Sequence, residues 1–478
     1  MKIQHIFLSH RSKGWLACVL LACLFAGCKK SLDINPLPTT LNSKDVFTNN
    51  GGAQSVIAGM YVREGNNING GSGISINMGL AADELLLPGS SSTTYAQFYT
   101  NSLSPAQNYF WVSSYSAVYV CNTAIQGLTS SAASSMTPAI RQQLLGEAKF
   151  SRAFLYFYLV NLYGDVALAI TDDENTNSSL PRTAQAQVYQ QIIQDLKDAQ
   201  GLLPDGAYAT ANAAVATDRV RPNKQAASAL LARVYLYQGD WADAETQAND
   251  VLGKSIYYLE PVLSNVFLKT SHETIWQLQQ FNTYYPNNAD APILVVTTPP
   301  GNASSQLPLN NPLVNAFDSV NDKRWTNWIG EYHAAAATYY YAYKYKNNTA
   351  GGTSTEYPVV LRLAEQYLIR AEARAQQNNL TGAISDLNTV RTRAGLAGTT
   401  ATIKSDILTA ILHERQLELF TEFGHRWFDL KRTSNLDGVM GVVTPLKGGG
   451  AWNSYDALLP VPSTDIALDP NLTQNSGY

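Results

Sequence analysis

Charge is scarce in this 478-residue chain: Asp, Glu, Lys and Arg make up 15% of it, and the formal net charge is −4. Proteins that grip nucleic acid present a basic face to the phosphates, so that class is excluded. Cysteine is scarcer still. Of four, Cys18, Cys23 and Cys28 crowd the start and Cys121 stands alone in the body, which leaves no disulfide framework. Beyond residue 28 histidine occurs only as His272, His333, His413 and His425, too scattered for a metal centre, and neither metal nor cofactor is expected. No stretch after the first 28 residues offers 18 uninterrupted apolar residues, so no membrane-spanning helix is expected.

Catalytic signatures are missing too. Gly253-Lys254-Ser255 ends a near match to a phosphate-binding loop, but Ala248 stands where the first glycine is required, and the segment follows a helix. His413-Glu414 would begin a zinc-protease helix, yet position 417 is Leu417 instead of the second histidine. No Gly-x-Ser-x-Gly elbow occurs. The visible acid clusters, Asp83-Glu84 and Asp172-Asp173-Glu174, read as solvated loop. A carboxylate pair assembled only in three dimensions keeps a glycoside hydrolase open as an alternative. An enzyme is therefore the weaker reading of the chain.

What is present is ample apolar material, 45% of residues, and therefore a folded core. The start carries Lys2, Arg11 and Lys13 without an acid, then twelve apolar or small residues from Trp15 to Ala26. Twelve residues fall short of the about 20 that cross a bilayer, so residues 1–27 read as a signal peptide. Its end, Leu24-Phe25-Ala26-Gly27-Cys28, resembles a bacterial lipobox, with Phe25 where leucine is usual. Cys28 is thus the expected lipidated first residue, 28–44 a polar tether, and 45–478 a single folded domain.

Helical periodicity dominates that domain, with helices expected over about 104–128, 141–203, 221–253, 359–394 and 403–432. Trp111, Tyr115, Val118, Asn122 and Ile125 form the stripe of the first. Two stretches read as helix, tight turn, helix: Gln225–Leu252 around Gln238-Gly239-Asp240, and Leu361–Arg393 around Gln377-Asn378-Asn379. Aligning Ala244 with Ala383 brings Ala232 onto Ala371, small residues at a close helix crossing in the tetratricopeptide manner. A third, looser pair joins Ala148–Tyr163 to Ala184–Leu203. Cys121 reads as a small buried hydrophobe.

Between the helices lie segments rich in Gly, Asn, Ser and Tyr, about 65–100 and 279–356, read as irregular and as the seat of function. Within the second, Tyr339, Tyr341, Tyr343 and Tyr345 alternate with other residues. That period of two predicts a strand whose tyrosine face packs on the body.

Val360-Leu361-Arg362-Leu363-Ala364-Glu365, Leu387 to Gly395, Glu414-Arg415, Gly424-His425-Arg426-Trp427-Phe428-Asp429-Leu430-Lys431-Arg432, and the tail Leu459-Pro460-Val461-Pro462 with Asn471 to Tyr478 resemble the RagB/SusD family of nutrient-binding outer-membrane lipoproteins. Glu147 to Ala153, Tyr163-Gly164-Asp165-Val166 and Asp322-Lys323-Arg324 match in the same order, and Ser476 departs where proline is commoner. The resemblance implies a mainly α SusD-like fold with tetratricopeptide-type hairpins, tethered by lipid to the outer membrane and exposed at the cell surface. It further implies a SusC-like TonB-dependent transporter as partner and non-catalytic capture of an oligosaccharide, or in some members a peptide. Arg426, Asp429 and Arg432 are expected to make charge and capping contacts. Sugars offer an apolar ring face and a rim of hydroxyls, so exposed aromatics beside Asn, Asp or Arg are needed. By position these are Tyr95, Phe98, Tyr99, Tyr284, Tyr285, Trp325 and Trp328, whereas Trp111, Trp241, Trp276 and Trp427 read as core.

Overall fold

Alanine at the crossing points and a left-handed residue at each turn set the helical body. The computed structural model describes residues 46–68, 73–89, 92–281, 284–301, 305–335 and 337–478, of which Phe47–Tyr478 form one unit. The signal peptide, Cys28 and the tether lie outside the described residues. The principal helices are α1 (Asn50–Ile68), α2 (Ile74–Ala81), α3 (Thr93–Tyr99), α4 (Trp111–Thr129), α5 (Pro138–Tyr163), α6 (Gln185–Leu202), α7 (Lys224–Gln238), α8 (Trp241–Leu252), α9 (Leu363–Gln376), α10 (Leu380–Arg393), α11 (Lys404–Glu418), α12 (His425–Arg432) and α13 (Leu436–Leu446).

Asn223 caps α7 by accepting from Ala226 N–H at 2.9 Å, Gly239 ends it at φ 72°, and Asp240 caps α8. The second hairpin repeats the device with Asn378 at φ 64° and Asn379 accepting from Gly382 N–H at 3.1 Å. Asparagine tolerates the left-handed region better than most residues, which is why a turn without glycine forms here. Ala232, Ala244, Ala371 and Ala383 are fully buried as expected. The pairs α5–α6, α7–α8 and α9–α10 stack in chain order, α6 on α7 and α8 on α9, and α11 closes the row against Leu368, Leu387 and Val390 through Ile407 and Ile411. Each such fully buried aliphatic side chain contributes about 1.5–3 kcal/mol. The looser third pair is secured by a buried bidentate contact, Arg152 to Asp195 at 2.7 and 2.8 Å.

Three expectations need correction. The helix foreseen from 104 begins at Trp111: turns hold 104–110, and the Asn108 side chain accepts from Val112 N–H at 3.1 Å to close the first helical turn. The stretch 65–100 is largely helical, covered by the end of α1, by α2 and by α3. Every residue of α2 is buried, so it shows no amphipathic stripe, and its Ser, Asn and Gly disguise a core helix as loop. Asp83-Glu84 is not solvated either. Asp83 receives a bidentate contact from Arg426 at 2.7 and 2.8 Å, and Glu84 accepts from Thr421 N–H at 3.1 Å, both carboxylates being buried.

Strands are few and short. β1 (Thr274–Gln277) pairs antiparallel with β4 (Val359–Arg362), and β2 (Ile329–His333) with β3 (Thr338–Ala342). The foreseen tyrosine strand therefore ends at Ala342. Tyr345 is buried and its hydroxyl accepts from Val359 N–H at 2.8 Å, while Tyr341 lies on Gly330, where any Cβ would meet its ring. A buried ion network ties these strands to the helices. Glu418 of α11 accepts from Arg324 at 2.9 Å, from Arg362 at 2.6 Å and from Arg393; Arg324 also reaches Glu414 at 2.7 Å and Asp322, and Arg362 reaches Glu273 at 3.0 Å and Glu422 at 2.8 Å. The motif residues make the charge half of the expected contacts and, among the described residues, cap no helix end: Asp429 holds Arg415 at 2.7 Å and Arg432 at 2.8 Å, and Arg432 reaches Glu372 at 2.5 Å.

One buried carboxyl has no cation. Glu64 of α1 accepts from the Ser151 hydroxyl at 3.2 Å, its other oxygen has no hydrogen-bond partner, and burial pushes its pKa up from 4.5 to about 8. The folded protein holds this proton where the unfolded chain has released it, so the contribution of Glu64 to stability is full below about pH 4.5 and is lost as pH rises through about 8. Glu64→Gln is expected to raise the thermal midpoint at pH 8.5 and leave it nearly unchanged at pH 5. Calorimetric scans of both proteins at the two values check this.

Candidate functional site

Asparagine side chains stitch the irregular segments into a firm surface. Asn287, buried beneath Tyr284-Tyr285-Pro286, accepts through Oδ1 from Thr355 N–H at 2.8 Å and Glu356 N–H at 3.0 Å. Gly351 N–H donates to Tyr284 O at 2.7 Å, so 284–290 and 351–356 form one unit. Glu356 in turn accepts from Lys346 N–H and Asn347 N–H, both at 2.9 Å, and burial holds its carboxyl above the usual range. The neighbouring segment joins by backbone contacts: Leu86 N–H to Pro308 O and Asn310 N–H to Glu84 O, both at 2.8 Å, and Leu309 N–H to Tyr340 O at 2.7 Å. Residues 84–86, 307–310 and β3 thus lie side by side, and the Glu84 carboxylate anchors them by accepting from Thr421 N–H.

The expected aromatics divide on this surface. Tyr284 is 65% exposed and meets Tyr285 edge to face at 4.8 Å, a pair that offers ring area to solvent. Tyr95 is half-buried on α3, whose first turn is capped by Ser92; burial and the Asp290 carboxylate push its hydroxyl up to about 12. Tyr99, one turn later, is half-buried under Lys447, whose ammonium stands 5.1 Å from the ring centre. That ammonium donates to Leu80, Ala81 and Ala82 carbonyls at 2.7, 2.9 and 2.8 Å, closing the C-terminal end of α2. Trp325 is half-buried between Phe317 and Tyr340, with ring centres 6.2 and 5.1 Å away.

Phe98 and Trp328 do not belong to the surface. Phe98 is the inward residue of α3, packed on Tyr109 at 5.0 Å and Phe110 at 6.2 Å. Trp328 is fully buried, donates to Leu263 O at 3.0 Å and lies under the Lys344 ammonium, 5.1 Å from the ring centre. Adjacent residues on a helix project about 100° apart, so Phe98 turns inward while Tyr99 does not, and Trp328, last residue of the short helix Lys323–Trp328, is drawn inward by its bond to Leu263 O. Of the tryptophans read as core, Trp111, Trp276 and Trp427 are buried and Trp241 is half-buried. Sequence reasoning missed Asn287, Asp290 and Tyr340 as framework. The Tyr-Tyr-Pro-Asn-Asn run was the available signal, because asparagine stabilises turns through its own side chain. Among the described residues no cluster of His, Cys, Asp and Glu is arranged to hold a metal ion.

Comparison with known proteins agrees along the chain. A model of the SusD family matches residues 329–478, and one described as starch-binding, associating with the outer membrane, matches 77–236. SusD-like protein P2 of Formosa agariphila is 27% identical over 425 residues, 77% of this chain and 80% of that one. Starch-binding protein SusD of Bacteroides thetaiotaomicron is 35% identical over 134 residues, 26% of this chain and 22% of its own. A laminarin-binding SusD-like protein of solved structure superposes with a TM-score of 0.75 at 25% identity, covering 89% of this chain and 99% of that one. With matching family models on separate parts of the chain, a relative alignable over most of it and a common mainly α fold, this protein belongs to the SusD/RagB family.

Proposed function

We propose that this protein captures a glycan on the surface where its irregular segments meet, leaves it chemically unchanged, and passes it to a SusC-like TonB-dependent transporter in the outer membrane. The observation that carries the reading is the set of accessible rings, Tyr284, Tyr285, Tyr95, Tyr99 and Trp325, on a surface held rigid by Asn287 and the ion network. Rigid rings recognise the apolar face of a sugar with little entropy to lose, and neighbouring amides and carboxylates take its hydroxyls. Binding of starch and laminarin by similar proteins supports the class of ligand. Two or three rings at about 0.5–1.5 kcal/mol each and a few hydrogen bonds at about 1 kcal/mol give micromolar to millimolar affinity, which suits a carrier that must release its cargo.

Calorimetric titration with a panel of polysaccharides and peptides, with products separated by chromatography, tests this. Binding of one glycan class without cleavage is expected; cleavage would make the protein a hydrolase, and binding of peptides alone would move it to the peptide-capturing members. Attachment through lipid on Cys28 is the companion proposal. Each buried methylene adds about 0.8 kcal/mol to membrane affinity, so a multiply acylated cysteine suffices as an anchor. Cys28→Ala is expected to shift the protein from the membrane pellet to the soluble fraction, as read by fractionation and immunoblot.

A further inference from the structure

We infer that a second saccharide site, distinct from the irregular surface, lies in a groove along α4 and takes neutral or amine-bearing sugars while rejecting acidic ones; it rests on the glycan reading above. The groove encloses about 680 Å³, within the range of small-ligand sites. Its floor is a ladder one helical turn apart, in which buried Trp111 braces half-buried Tyr115 and Tyr119 presents its ring to the groove. Trp111 and Tyr115 ring centres lie 4.9 Å apart, and the Tyr115 hydroxyl donates to Ala167 O at 2.8 Å, so the ladder is held in place. Tyr119 is 41% exposed and Leu468 on the facing wall is 85% exposed, which leaves apolar edges in water. The facing walls are tied together by Asn471 Nδ2 donating to Ser179 O at 2.9 Å.

The charge on the lining has one sign. Glu174, Asp465 and Asp469 line the groove, and no lysine or arginine does. The hydrogen bonds of the two aspartates are local, from the Thr464 hydroxyl to Asp465 at 3.1 Å and from Asn471 N–H to Asp469 at 2.9 Å. Asn177, also on the lining, is fixed in place by donating to Thr171 O at 2.8 Å. An aromatic floor with a rim of acceptors fits a ligand that has an apolar face and many donors, which describes a sugar ring with hydroxyl or amino groups. A uronate or sulfate would meet three carboxylates and no lysine or arginine on the lining itself, so the rim discriminates by repulsion.

The test uses the full-length protein in detergent with neutral gluco-oligosaccharides, glucosamine oligomers and galacturonate oligomers, followed by calorimetry and hydrogen exchange. The neutral or amine-bearing sugar is expected to protect amides within 111–122 and 465–472 in addition to those within 284–290, with galacturonate leaving 111–122 unprotected. Tyr119→Ala is expected to weaken binding in the groove about three- to tenfold and leave protection of 284–290 unchanged. Glu174→Gln combined with Asp465→Asn is expected to admit galacturonate. One equivalent of sugar that protects only the irregular segments and ignores Tyr119→Ala overturns this site alone. Failure of the unaltered protein to bind any sugar overturns the glycan reading and this site with it. Loss of co-purification with a transporter on Tyr119→Ala, without change in sugar binding, overturns it in favour of a protein-docking groove.

Discussion

Glu418→Gln is expected to lower the unfolding free energy by about 3–5 kcal/mol, because it strips the shared partner from three buried guanidinium groups at once. Arg324, Arg362 and Arg393 all converge on this carboxylate, and their charges hold its pKa well below the usual range despite complete burial. A neutral amide of the same shape keeps the volume but removes the compensating charge, so packing loss does not confuse the result. Chemical denaturation followed by far-ultraviolet dichroism gives the free energy, and a change under about 1 kcal/mol would show that water or rearranged glutamates screen the cluster. Since Arg362 ends β4 and Arg324 lies in the short helix carrying Trp325, the same variant is expected to loosen the ligand surface before the helical stack. Hydrogen exchange would show earlier opening of 322–345 than of α7–α10.

Replacing Tyr284 and Tyr285 together by alanine is expected to weaken glycan binding by about one to two orders of magnitude, the sum of two rings at about 0.5–1.5 kcal/mol each. The exposed Tyr284 contributes little to the core, so the thermal midpoint is expected to move by less than about 2 °C. Titration of the double variant beside a Trp328→Phe control separates the effects, because Trp328 is buried under Lys344 and its replacement should lower stability while sparing the binding surface. Unchanged affinity in the tyrosine variant would move the glycan site away from 284–290.

The legible parts of the chain were those whose physics is local. The hairpins around Gly239 and Asn378 were visible because caps, turns and small-residue crossings all lie within about 30 residues of sequence. Exposure of single aromatics was not legible. Phe98 and Tyr99 are adjacent and similar in chemistry, yet one enters the core and its neighbour faces outward, a choice made by the phase of a short helix whose start depends on Ser92. Asp83-Glu84 looked like solvent-exposed acid because its partners, Arg426 and the Thr421 amide, lie more than 300 residues away. The same distance hid the groove beside α4, where the C-terminal segment faces a helix begun at Trp111.

By itself the sequence determined the helical class, the capped hairpins and the family, since each depends on neighbouring residues or on a preserved order of motifs. Only the tertiary structure decided which rings face water, which carboxylates are paired, and where α4 and the C-terminal segment enclose a groove. Burial and ion pairing are properties of residues brought together from distant parts of the chain, and a linear sequence carries that proximity only after folding.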